Sequence, residues 1–289
     1  MTLLESNPVA HEGDIWFITG ASRGLGAAIA RAALAAGHGV VAAGRDVAAI
    51  ETALAGAGAD RLLAVALDVT APEHLHTAID AALARFGRID VLVNNAGYGQ
   101  LGPFEDVSAQ AIQAQFATNV FGLMEVTRAV LPTMRKQRSG RVFNLSSIGG
   151  LVGFAGSSIY CASKFAVAGF SASLAPELAP FGITVTNVSP GFFRTDFLDA
   201  RSVRYGDGAL ADYTPASSAL REQFDGYNHQ QPGDPAKLAQ ALLELARHPA
   251  PPLHFVVGAD AIGMATAASA QLLADVDTWR ELSEATGTR

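Results

Sequence analysis

Cysteine is almost absent: Cys161 is the only one in 289 residues. A lone thiol excludes an intrachain disulfide framework and any multi-cysteine metal site. Charge is scarce too, with Asp, Glu, Lys and Arg at 16% of the chain against about 25% in ordinary soluble proteins. Disordered chains, coiled coils and charged repeats need more charge or fewer apolar residues. There is no basic excess, since 27 acidic residues face 20 basic ones for a net charge of −7, so no nucleic-acid partner is expected. Arg135, Lys136, Arg138 and Arg141 follow an apolar helical pattern, where cations suit a helix C-terminus. Long apolar runs are missing as well. The richest window, Phe255 to Ala274, contains Asp260, Gln271 and several small residues, and reads as a strand and a helix, not a membrane span. The opening MTLLESNPVAHEGD lacks a basic region and a long apolar run, so no secretory leader is read and a cytoplasmic location is expected. No repeat of 20–50 residues occurs. The seven histidines form no metal motif: His74 and His76 fall on different helix faces, and His229 could at most touch a substrate, so no metal is expected.

What the chain does hold is apolar residues, at 49%, and glycine, at 29 residues. Such a composition supports a large core and close backbone approaches. Short apolar runs at Ile15–Thr19, Val40–Ala43, Leu62–Leu67, Val91–Val93, Val142–Leu145, Ile183–Val188 and Phe255–Val257 predict about seven strands. Ala-rich stretches with helical spacing lie between them, at Leu25–Ala36, Pro72–Phe86, Ala109–Arg135 and Ser163–Leu178. This alternation predicts an α/β fold, a doubly wound parallel sheet with helices on both faces. Nearly continuous apolar strands suit a sheet covered on both sides. One domain spanning 1–289 is expected. Residues 192–232 break the rhythm, with no clear strand and seven aromatics: Phe192, Phe193, Phe197, Tyr205, Tyr213, Phe224 and Tyr227. An insert of this length reads as a substrate lid.

The first strand runs into a Gly-rich turn, Gly20, Gly24 and Gly26 spaced G-x-x-x-G-x-G, and then a helix. Bare backbone there lets a pyrophosphate approach, and the helix N-terminus presents free N–H groups. The second strand ends at Gly44-Arg45 with no carboxylate at its tip, and Asp46 is placed to cap the next helix. Arg45 with Arg23 could clamp a 2′-phosphate, so NADP(H) is the expected cofactor. Further on, Tyr160 and Lys164 share a helix face four residues apart. A nearby ammonium could lower the Tyr160 pKa toward the working range of an acid–base group. Ser147 and Asn94-Asn-Ala-Gly97 each close a strand at its carboxyl end, where open α/β sheets bind ligands.

Thr19–Gly26, Asp68-Val69, Asn94–Gly97, Asn119, Ser147, Tyr160-x-x-x-Lys164 and Pro190-Gly191 with Thr195 together resemble the short-chain dehydrogenase/reductase superfamily, in its single-domain branch. The resemblance implies a Rossmann-like fold and a catalytic set of Asn119, Ser147, Tyr160 and Lys164. Tyr160 would be the general acid or base, Ser147 would polarise the carbonyl oxygen, and Asn119 would position a relay water. Lys164 would lower the Tyr160 pKa and hold the nicotinamide ribose. The implied cofactor residues are Gly20, Ser22, Arg23, Gly24, Leu25, Gly26, Arg45, Asp68, Val69, Asn95, Ala96, Gly97, Tyr160, Lys164, Pro190, Gly191 and Thr195. Of these, Asp68 and Val69 would lie beside the adenine, Asn95 near a ribose, and Thr195 near the carboxamide or pyrophosphate. Ser146 should face away from Ser147, and Cys161 reads as a packed small residue.

The expected reaction interconverts a carbonyl compound and a secondary alcohol by hydride transfer. The alternative is a nucleotide-sensing binding protein of the same fold with little activity. The lid aromatics either fasten the lid or, with Tyr98 and Phe154, line a pocket for a lipophilic or aromatic substrate. Asp234 and Pro235 predict the start of a helix. The extension 260–289 carries Leu272, Leu273, Val276, Trp279 and Leu282, a face for the lid or for a second subunit of a homodimer or homotetramer.

Overall fold

The computed structural model describes residues 13–58, 60–199, 202–206 and 210–287. Residues 1–12, read above for a leader, lie outside it, as do a few positions of the 192–232 insert and the last two of the extension. From the amino end, β1 (Ile15–Thr19) leads through the Gly-rich turn to α1 (Gly24–Ala35), and β2 (Gly39–Gly44) to α2 (Val47–Ala53). Next come β3 (Leu62–Ala66), α3 (Pro72–Phe86), β4 (Val91–Asn94) and a short β5 (Gly99–Leu101). Then α4 (Ala109–Phe116), a π-helical stretch (Ala117–Gly122) and α5 (Leu123–Gln137) run on to β6 (Gly140–Leu145), α6 (Ser158–Leu178) and β7 (Ile183–Pro190). The insert carries β8 (Val203–Tyr205) and α7 (Thr214–Tyr227). The chain closes with α8 (Pro235–Arg247), β9 (His254–Val257), α9 (Ala259–Thr278) and α10 (Arg280–Glu284).

Seven strands form one parallel sheet in the order β3-β2-β1-β4-β6-β7-β9. Its first strand shows why the apolar runs lack alternation. Ile15 and Phe17 enter one core with Leu75 and Ile79 of α3 and Val126 and Val130 of α5. Trp16 and Ile18 enter the other with Ile29 of α1 and Leu238 and Leu242 of α8. Each fully buried side chain of this size contributes about 1.5–3 kcal/mol. Strand order reverses between β1 and β4, and the crevice beyond their carboxyl ends is where such sheets take ligands.

Two expectations change. The insert is not structureless: β8 pairs in parallel with β5, and α7 follows. Three-residue strands with no apolar periodicity of their own left no sequence signal, because tertiary pairing creates them. The single helix expected over Ala109–Arg135 is divided by the π-helical stretch, which contains Asn119; such stretches cluster at functional sites. The capping expectations hold, with Asp46 Oδ1 accepting from Ala49 N–H at 3.0 Å and Asp234 Oδ1 from Ala236 N–H at 2.8 Å. Within the chain the apolar face of the extension is left largely uncovered: Leu272, Leu273, Trp279 and Leu282 are each more than 60% exposed. Among the described residues no helix is long and apolar enough to cross a membrane.

Candidate active site

The Gly-rich turn is folded as tightly as sterics permit. A Cβ on Gly26 would stand 2.3 Å from the Gly20 carbonyl oxygen and 2.5 Å from Asn95 Nδ2. Asn95 locks the turn from the β4 side, donating Nδ2 to the carbonyls of Thr19 (2.9 Å) and Gly20 (3.1 Å). Thr19 Oγ1 in turn accepts from the N–H groups of Asn95 and Ala96, both at 3.0 Å. Asn95 therefore borders the crevice while its amide nitrogen serves the turn, and Thr19 is a clamp that the motif alone did not reveal. Beyond β2, Arg45 stands exposed beside Asp68. Burial pushes the Asp68 carboxyl up, but hydrogen bonds from Thr70 and the charges of Arg45 and His74 outweigh it and leave it below its ordinary value.

Across the crevice, β6 delivers Ser147 and α6 delivers Tyr160 and Lys164. The hydroxyls of Ser147 and Tyr160 are hydrogen-bonded to each other, and Ser147 Oγ also accepts from Gly149 N–H at 3.0 Å. Buried Lys164 donates Nζ to the Leu145 carbonyl at 2.7 Å and lies 5.8 Å from the Tyr160 ring centre. Ser146 faces away, donating to the Lys164 backbone carbonyl at 2.9 Å. Cys161 is buried, and burial pushes its thiol up. Asn119 Nδ2 donates to the Tyr98 carbonyl (2.9 Å) while its Oδ1 accepts from Tyr98 N–H (3.1 Å). Its side chain is thus engaged in holding the loop after β4.

One electrostatic expectation, which counted on a cationic nicotinamide beside Lys164, meets an opposing effect in the protein's own groups. Lys164 was expected to lower the Tyr160 pKa, yet the protein's own groups raise it to about 12, burial outweighing the Ser147 hydrogen bond. Burial also brings Lys164 down to about 8. The same shielding that gathers the two groups disfavours the charged form of each. A stability effect follows. Unfolded, Lys164 keeps its proton to about pH 10.5; folded, only to about 8, so unfolding takes up a proton in between and stability rises with pH. From about pH 7.5 to about pH 9.5 the wild type should gain about 2 kcal/mol on Lys164→Met in urea unfolding. An unchanged difference between the two proteins would contradict this.

These elements enclose a cavity of about 1150 Å³. Every residue singled out above as catalytic or cofactor-binding lines it except Gly26 and Asn119, which are buried behind its wall. The short chain dehydrogenase family profile matches residues 14–205, the span that carries all of these groups. The chain is a short-chain dehydrogenase. Oxidoreductase BOA17 of Botryotinia fuckeliana is 40% identical to it over 269 residues, covering 93% of this chain and 97% of the relative. The structure of a short-chain dehydrogenase from Streptomyces avermitilis superposes with a TM-score of 0.87 at 39% identity, over 95% of this chain and all of that one. A short-chain dehydrogenase/reductase from Burkholderia phymatum, in complex with NAD, gives a TM-score of 0.76 at 25% identity, with 97% of both chains covered.

In this dehydrogenase the remaining cavity wall comes from the insert. Phe192, Phe197, Leu198, Leu220 and Phe224 line it with Tyr98, Leu101 and Phe154. Leu101, Leu198 and Val203 form a small core against which Tyr160, Phe197, Tyr205, Leu220, Phe224 and Tyr227 pack. The insert's aromatics therefore both fasten it and surface the cavity, though Phe193 joins the α1/α8 core and Tyr213 lies outside, bonding Glu105. His229 does not line the cavity; its Nε2 lies 3.1 Å from Asp199 Oδ1, and Asp196 completes a group of three potential metal ligands. Sequence reasoning also missed Asp260. Its Oδ2 accepts from Phe192 N–H at 2.8 Å, tying the first turn of α9 to the Pro190–Thr195 loop. An acidic residue opening a helix was visible, but not its partner 68 residues away.

Proposed function

We propose that this dehydrogenase interconverts a carbonyl compound and a secondary alcohol with NADP(H), the nicotinamide supplying or accepting the hydride. The observation that carries this reading is the Ser147–Tyr160 hydrogen bond beside buried Lys164, on the wall of a cavity that reaches the Gly-rich turn. The fit to a dinucleotide rests on the cradle at Gly20 and Gly26, which bare backbone alone can form. Ser22, Gly24, Leu25, Ala96, Gly97, Pro190, Gly191 and Thr195 would border it, with Asp68 and Val69 at the adenine. Tyr160, with its pKa near 12, is protonated at neutral pH and so equipped to give a proton to a carbonyl oxygen. Ser147 holds that oxygen by a hydrogen bond that strengthens as negative charge builds there. Lys164 orients the ribose and replenishes the Tyr160 proton. The Asn119 amide is occupied, so its π-helical backbone is the part left to position a relay water.

Arg23 and Arg45 line the cavity at its adenine end, and the carboxylate just beyond β2, Asp46, is engaged in capping α2. That favours the phosphorylated cofactor, although a related structure holds NAD. The kcat/KM for NADPH should exceed that for NADH, and Arg45→Ala should lower the ratio about tenfold or more through the NADPH term. A clear NADH preference in the wild type would remove this assignment. The apolar insert favours aryl and lipophilic ketones over short polar hydroxy-ketones; equal or better use of the polar set would count against it.

A further inference from the structure

On the insert side of the cavity stands a cation, Arg204, with no ion-pair partner among the described residues. In β8, strand alternation sends Val203 and Tyr205 into the small apolar core, while Arg204, like Ser202 just before the strand, lines the cavity. The Arg204 guanidinium lies 4.7 Å from the centre of the Tyr98 ring. Stacking of this kind holds a long, mobile side chain in place and leaves its N–H edge available. Arg204 makes no ion pair and no side-chain hydrogen bond with any described residue. Arg23 and Arg45 belong to the dinucleotide end, and Lys164 is bound to the Leu145 carbonyl. The carboxylate on the insert side, Asp196, stands with Asp199 and His229. The wall on this side is mostly apolar, built from Leu101, Phe154, Phe197, Leu220 and Phe224, with Gln223 and Gln231 among them. A preset guanidinium beside such a wall matches a molecule with an apolar body and an oxyanion.

We propose that Arg204 is a specificity-determining residue, pairing with a carboxylate or phosphate carried by an otherwise apolar carbonyl substrate. This rests on the reading of the cavity as a site of carbonyl reduction. The test uses three matched aryl ketones, one with a carboxylate, one with a phosphate ester and one with the methyl ester of the carboxylate. Wild type, Arg204→Gln and Arg204→Lys are assayed with NADPH, with melting temperatures as a control on folding. Wild type should favour an anionic ketone over the neutral ester by about tenfold in kcat/KM, mainly through KM. Arg204→Gln should erase that preference while keeping turnover of the ester within about twofold, and Arg204→Lys should retain part of it. Salt at about 0.5 M should shrink the preference in the wild type. The better of the two anions identifies which group is read. Equal use of anion and ester by the wild type overturns the proposal, as does a preference that survives in Arg204→Gln. If no ketone turns over, calorimetric titration of the same compounds into the NADP+-loaded proteins decides. Anion-selective binding lost in Arg204→Gln would support Arg204 while removing carbonyl reduction, and non-selective binding would overturn Arg204.

Discussion

Tyr160→Phe should lower the rate of carbonyl reduction by about 10²–10⁴-fold, the usual contribution of a positioned acid–base group, and leave NADPH affinity within about twofold. The substitution removes one hydroxyl and keeps the ring that packs 5.7 Å from Phe197. Folding should change little, because the hydroxyl's partner is Ser147, which keeps its bond from Gly149 N–H. The loss of that neutral hydrogen bond amounts to about 1 kcal/mol. The rate effect is larger because Ser147 can hydrogen-bond the growing charge on the carbonyl oxygen, whereas Tyr160 is the group assigned to transfer a proton to it. Single-turnover NADPH oxidation measures the rate, and quenching of protein fluorescence measures the binding. Retained turnover would eliminate Tyr160 as the acid. A wild type that binds NADPH and turns over no carbonyl in a broad screen would instead support a binding protein of the same fold.

Gly26→Ala should damage folding and cofactor binding together. The added methyl would meet the Gly20 carbonyl and the Asn95 amide at distances no side chain tolerates, so the turn must open. Overpacking of this kind costs about 1–3 kcal/mol, and backbone as the obstacle places it at the upper end. Opening the turn also withdraws the N–H groups meant for the pyrophosphate, so NADPH should bind at least tenfold more weakly. Gly169→Ala is the control. It lies within α6 with nothing inside 4 Å of its Cβ position, and should stabilise by about 0.5–1 kcal/mol. Urea unfolding and NADPH titration of both variants check the pair; a Gly26→Ala protein as stable as wild type would show that the turn is looser than described.

The strands, the turn and the pairing of Tyr160 with Lys164 were legible because each rests on local rules. An apolar run sandwiched between helices, a glycine forced by contact, and two residues one helical turn apart need no knowledge of the remainder. Arg204 was not legible, since its meaning depends on Tyr98, which reaches it only through the β5–β8 pairing. The opposing effect of burial on Tyr160 was not legible for a related reason: sequence spacing supplies the nearby ammonium but not the depth at which both groups sit. Asn119 and Asn95 were found in place, yet what their amides hold, the Tyr98 backbone and the Gly-rich turn, is a property of the assembled loops. The insert's paired strand and helix were hidden because three-residue strands carry almost no pattern of their own.

The hydrogen bond from Phe192 N–H to Asp260 also sets an order of assembly. Strands β1 to β7 can pair as they emerge, but the loop after β7 lacks its acceptor until β9 is in place and α9 has begun. A chain growing from its amino end therefore cannot secure the loop opposite the Gly-rich turn until residue 260 has emerged. Intermediates stopped short of residue 260 would hold most of the sheet and an unsecured rim.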